Sequence, residues 1–138
     1  MSRLPSRLAL RSLALLAVLV LGLSACRTAT IQNINQAPVM NTQGKALTMD
    51  EVESAIKVAG AGLGWQMERV SPGHIVGTLN LRSHQAVVDI PYDTANYSIV
   101  YKDSTNLKHE GIKIHSNYNN WVNNLNRAIQ RELTLRMK

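Results

Sequence analysis

The chain has four histidines, and two of them, His109 and His115, have acids nearby in sequence, Asp103 and Glu110, while the expected topology below brings a third, His84, to the same end. Imidazoles and carboxylates are what a zinc-type site or a general acid–base pair would draw on. The spacing argues against both. No H-x-x-x-H, H-E-x-x-H or C-x-x-C pattern occurs, so no two ligands are preset on one helical face. Ser104 and Ser116 lie near histidines, but no G-x-S-x-G elbow exposes a nucleophile. A second polar concentration is "KIHSNYNNWVNNLNRAI", Lys113 to Ile129, with six asparagines. Asparagine competes with helical backbone hydrogen bonds. A face rich in it either satisfies local backbone groups or presents amides to a polar ligand such as a glycan or peptide. Asp103, Lys108, His109, His115, Asn119, Asn120 and Asn123 form the candidate binding set; no cofactor is implied. A metal-dependent or hydrolytic enzyme using His84, His109 and His115 is the alternative reading.

The elements that position these residues follow from periodicity. Thr48 with Glu51 makes a T-x-x-E capping box, and Val52, Ile56, Ala59 and Leu63 recur at helical spacing. This predicts a helix over about 49–61. "GAGLG" closes it and leads into a strand, so it reads as a cap and turn rather than a phosphate loop. Four alternating runs follow: "WQMERV", "HIVGTLNL", "HQAVVDIPY" and "NYSIVYK". Their short connections imply an antiparallel meander, with Pro72 and Gly73 suited to a type II turn.

In such a meander the turn at His84 and the stretch after Lys102 share one end, where His84, His109 and His115 could converge. Trp65, Met67, Ile75, Leu79, Leu81, Ala86, Val88, Ile90, Tyr97, Ile99 and Tyr101 mark the core face. The last segment carries the strongest helical pattern, Tyr118, Trp121, Val122, Leu125, Ala128, Ile129 and Leu133. The expected fold is α+β: a four-stranded antiparallel meander with an N-terminal and a C-terminal helix packed on one face (αββββα), spanning 47–138.

The amino terminus is of a different kind. Arg3, Arg7 and Arg11 precede an uninterrupted apolar run of eleven residues, Leu13 to Leu23, and then small residues. That is the plan of a secretory signal peptide over 1–25. A membrane-spanning helix would need about 20 apolar residues. Cys26 is the only cysteine, so no internal disulfide can form in an oxidising compartment.

"LSAC", Leu23 to Cys26, resembles the lipobox of bacterial lipoproteins. The resemblance implies cleavage before Cys26 and lipid on its sulfur, and Arg27 after it implies sorting to the outer membrane, periplasmic face. Removing residues 1–25 takes three arginines and lowers the net charge from +6 to +3. With a periplasmic address, this argues against a nucleic-acid partner. Residues 26–46 read as the lipidated cysteine and a flexible tether, with an extra edge strand over "ATIQNI", Ala29 to Ile34, as the alternative. The stretch Tyr97 to Leu125 resembles part of small bacterial lipoproteins and implies no particular activity. The expected protein is a lipid-anchored monomer with a non-catalytic binding or envelope-structural role. Its partners are the membrane through Cys26 and an envelope protein or cell-wall glycan.

Overall fold

The computed structural model describes residues 27–39 and 45–138. The expected signal peptide and Cys26 lie outside them. Among the described residues no helix is long and apolar enough to cross a membrane.

The capping box forms as the sequence predicts and starts α1, Met49–Gly62. Thr48 Oγ1 accepts from Glu51 N–H at 3.2 Å, and a Glu51 carboxylate oxygen accepts from Thr48 N–H at 2.8 Å. That backbone donor, with Lys45 assisting, holds the Glu51 carboxyl below its usual pKa. Val52, Ala55, Ile56 and Ala59 face the core.

The four expected strands appear as β3 (Trp65–Ser71), β4 (His74–Leu81), β5 (His84–Pro91) and β6 (Asn96–Thr105), each antiparallel to the next. Gly73, at φ +77°, takes the left-handed position of the β3–β4 turn. A Cβ there would also stand 3.0 Å from the Tyr92 carbonyl oxygen. On the core face, a Cβ at Gly77 would approach Met67 Sδ and Val88 Cγ2 at 3.2 Å, so its absence lets Trp65 lie close against the sheet. The long helix, α2, runs Asn117–Arg136. Tyr118, Val122, Leu125, Ile129 and Leu133 are buried against α1 and the sheet.

The four-stranded meander needs correcting to five strands plus a two-stranded sheet. The segment expected as a tether supplies β1 (Thr28–Thr30) and β2 (Ile34–Pro38). The main sheet has the order β2-β6-β5-β4-β3, and β1 pairs separately with β7, Lys113–His115. The physical reason is apolar: Ile31, Ile34, Ala37 and Val39 pack against the core. Their alternation is interrupted by a bulge between Ile34 and Ala37, where Gln36 adopts φ +51°. A bulge breaks the period of two that marks a strand in sequence.

Four expected core positions lie nearer the surface. Leu81 is 46% exposed at the end of β4, while Met67 and Tyr101 are half-buried. Trp121, likewise expected in the core, also keeps part of its ring at the surface.

Tyr118 is fully buried, yet its hydroxyl finds no hydrogen-bond partner among the described residues. An unpaired buried hydroxyl costs about 1–3 kcal/mol. Tyr118→Phe should therefore raise stability by about 1 kcal/mol in denaturant melts at neutral pH; an equal loss would mean that the hydroxyl has a partner. Burial also raises the pKa of Tyr118, and raises that of Tyr97 to about 12, from an ordinary 10.0. A raised tyrosine pKa gives stability that is complete below pH 10 and lost as pH climbs towards the folded-state values. Melts across this window should show alkaline destabilisation, smaller in Tyr118→Phe than in the parent.

Candidate functional site

Hydrogen bonds join the loops at one end of the sheet into a continuous plate. Arg27 O accepts from Ser116 N–H at 2.9 Å, and Leu107 O accepts from the adjacent His115 N–H at 2.7 Å. Next along, Asn106 O meets His84 Nδ1 at 2.7 Å, and Asn106 Nδ2 donates to Ser83 Oγ at 2.9 Å. The chain's first described residue, the start of α2, the β6–β7 loop and the β4–β5 turn are thereby one surface. This is the end at which the sequence places His84, His109 and His115.

The three histidines do not converge on a common point. Each ring serves its own neighbourhood: His84 on Asn106 O, His109 Nε2 on Gly111 O at 3.0 Å, and His115 Nδ1 accepting from Asn117 N–H at 3.2 Å. His109 also stacks on Tyr101 with ring centroids 4.6 Å apart. Asp103 Oδ1 is turned back to Ser104 N–H at 2.8 Å. Among the described residues, no group of three or more histidine, cysteine, aspartate or glutamate side chains is placed to hold a metal ion. The fourth histidine, His74, lies on another part of the sheet, with Nε2 2.6 Å from Asp89 Oδ1.

The asparagines divide in a way the helical pattern does not reveal. Asn119, expected to offer its amide to a ligand, is only 7% exposed. Its Oδ1 accepts from Gln32 N–H at 3.0 Å and its Nδ2 donates to Thr30 O at 2.9 Å. One side-chain amide thus imitates a strand edge and clamps the turn between β1 and β2. This corrects its assignment as a ligand contact, because both amide functions are taken by backbone. Asn126 Oδ1 accepts from the Tyr97 hydroxyl at 2.5 Å, and Gln130 Nε2 donates to that hydroxyl and to Pro38 O. Sequence reasoning also missed Asn33, whose Oδ1 accepts from Tyr101 N–H at 2.9 Å. The signal available was the alternation in "ATIQNI", which also reads as an edge strand.

Asn120 is exposed, Asn123 is half-buried, and the exposed Asn124 accepts from Arg127 at 2.5 Å. Beside them Trp121 and Asn124, with Leu63, Trp65 and Leu79, line a hollow of about 70 Å³. A part-exposed indole flanked by amides can stack on one face of a polar ligand and hydrogen-bond its edge. Lys108, the remaining expected contact, is exposed in the β6–β7 loop.

A shallow groove of about 440 Å³ runs between α1 and β3, lined by Asp50, Glu53, Ser54, Lys57, Val58 and Arg69. Its central carboxylate is already engaged. Glu53 lies 3.5 Å from Arg69 and 3.8 Å from Lys57, and accepts from the Tyr92 hydroxyl at 2.9 Å.

Comparison with protein-family models, with curated proteins and with solved structures finds no match to this chain.

Proposed function

We propose that the chain is a lipid-anchored protein of the bacterial envelope, held at the periplasmic face of the outer membrane through Cys26. In this reading it works by binding rather than by catalysis. The observation that carries the proposal is where the fold starts: Arg27, the residue after the only cysteine, is already hydrogen-bonded to the start of α2. A lipid on Cys26 would thus be joined to a folded domain, behind a basic, apolar and small-residue leader of the kind that directs secretion. More than one acyl chain is needed for stable anchoring, which the resemblance to lipoproteins supplies.

Binding is favoured because the histidines at the loop end are each engaged locally, whereas Asn120, Asn123 and Trp121 leave amides and part of an indole at the surface. A cell-wall glycan or a peptide segment of an envelope protein fits that surface. Two measurements test the proposal. Cys26→Ser should abolish palmitate labelling and release the protein into the soluble periplasmic fraction; continued membrane retention by the variant would refute the anchor. Titrating cell-wall glycan fragments or envelope peptides should shift the emission of Trp121, and Trp121→Phe should remove the response. Silence from both ligand classes would refute this binding face.

A further inference from the structure

We propose that the loop end of the domain rests on the leaflet that holds the Cys26 lipid, with its exposed cations on the phosphate headgroups. The inference rests on the anchoring proposed above and concerns the orientation of the domain, which anchoring alone would leave free. Consecutive Cα atoms are about 3.8 Å apart, so the lipid-bearing residue adjoins Arg27, whose carbonyl is fixed to Ser116. No spacer separates the bilayer from the fold. A coil of about 20 residues would let the domain reach roughly 25 Å from the surface in any orientation; a cysteine joined to a bonded residue does not.

The surface presented at that point has the chemistry of a headgroup contact. Arg27, Arg82, Lys108 and Lys113 are all exposed there, against the exposed acids Asp103 and Glu110. The plate of hydrogen bonds from Arg27 to Ser83 holds three of these cations on one rigid surface: Arg27 itself, Arg82 beside Ser83 and Lys108 beside Leu107. Lys113 follows on β7, opposite Thr30 in the β1 ladder. The start of α2 adds to the positive potential, since its first turn contains no acidic residue and its N-cap, Ser116, makes no side-chain capping bond, leaving only the imidazole of His115 on the first N–H. Ile112, in the same loop, is 68% exposed and could enter the apolar boundary of the headgroup layer. An anionic leaflet attracts such a cluster, and the attraction fades within about a Debye length, roughly 8–10 Å. An end joined directly to the lipid stays in that range.

This orientation turns His84, His109 and Lys108 towards lipid. The β3–β4 turn and the Asp93–Ala95 connection then face away from the membrane.

The test uses the full lipidated protein on vesicles carrying a headgroup-attached quencher. A fluorophore is placed on Ile112→Cys or, at the far end, on Thr94→Cys; the native cysteine is blocked by its lipid. On vesicles containing phosphatidylglycerol, the probe at position 112 should be quenched several-fold more than the probe at 94. Neutral phosphatidylcholine vesicles, a ten-residue Gly/Ser insert between Cys26 and Arg27, or combined Arg82→Gln, Lys108→Gln and Lys113→Gln should each shrink the contrast. For the charge variants the expected fall in headgroup contact is on the order of five-fold per cation removed. Equal quenching at both positions in vesicle-bound protein would overturn the orientation while leaving the anchor intact. An undiminished contrast on neutral vesicles would overturn the headgroup basis. Protein that is neither palmitate-labelled nor vesicle-bound would overturn the anchoring and the orientation with it.

Discussion

A chain from which residues 27–39 have been deleted is expected to lose its cooperative fold. These residues form β1 and β2, and their bonds spread over the whole domain. β1 pairs with β7 and β2 with β6. Outside the ladders, Ile31 N–H donates to Ile112 O and Val39 N–H to Ala95 O, both at 2.8 Å. Gln36 N–H donates to Ser98 Oγ, and Asn33 Oδ1 accepts from Tyr101 N–H. Deletion would leave the β6 edge and the Asn119 amide without these partners, and would open the core beside Ile31, Ile34, Ala37 and Val39. Each lost bond is worth about 0.5–1.5 kcal/mol and each partly buried aliphatic side chain about 1–2 kcal/mol. Their sum is comparable with the whole net stability of a small domain, about 5–15 kcal/mol.

Circular dichroism of the shortened chain should show no sharp thermal transition. Adding a peptide of residues 27–39 at high concentration should restore one, because strand pairing can be satisfied by a separate chain. A shortened chain that melts at the parent's temperature would show that β1 and β2 contribute nothing.

The same segment marks the boundary of what local sequence patterns disclose. α1 was legible because a capping box and an i, i+4 apolar stripe are local signals, and both lie within residues 48–63. The β3–β4 turn was legible because Pro72 and Gly73 carry their own dihedral preferences. β1 and β2 depend instead on partners far along the chain. Asn119 reaches Gln32 across 87 positions, and Gln130 reaches Pro38 across 92. No window of ten or fifteen residues contains such a pair, and the bulge at Gln36 cuts short the alternation that "ATIQNI" begins.

The histidine end shows a different kind of partial success. Topology brings the His84 turn to the β6–β7 loop, as an up-down meander requires. Whether rings that share an end also share a ligand depends on side-chain geometry, and here backbone carbonyls and an amide occupy them one by one. The polar face of α2 illustrates the point again. Asn119 and Asn120 are equivalent by residue type, and only the strand segment laid over Asn119 makes one of them structural.

That difference gives the second large effect. Asn119→Leu should cost about 2–5 kcal/mol, because a similar volume replaces an amide and leaves Gln32 N–H and Thr30 O unpaired at a part-buried site. Asn120→Ala, a few ångströms away on an exposed position, should stay within about 0.5 kcal/mol of the parent. Asn119→Asp separates the two bonds. The introduced carboxyl keeps an acceptor for Gln32 N–H but turns an oxygen towards Thr30 O, where a donor is required. At neutral pH the variant should be at least as unstable as Asn119→Leu, since a buried carboxylate facing a carbonyl is disfavoured. Burial and that carbonyl raise the folded-state pKa of the introduced group above its unfolded value, about 3.9. A raised pKa means that the penalty is absent below the unfolded value and grows as pH rises through the folded one. Once protonated, the group can donate to Thr30 O, so Asn119→Asp should regain stability relative to Asn119→Leu as pH is lowered from 7 to 4. Parallel denaturant titrations at the two pH values measure that crossing. Curves for the two variants that stay a constant distance apart would mean that Asn119 does not hold β1 and β2 through its donor.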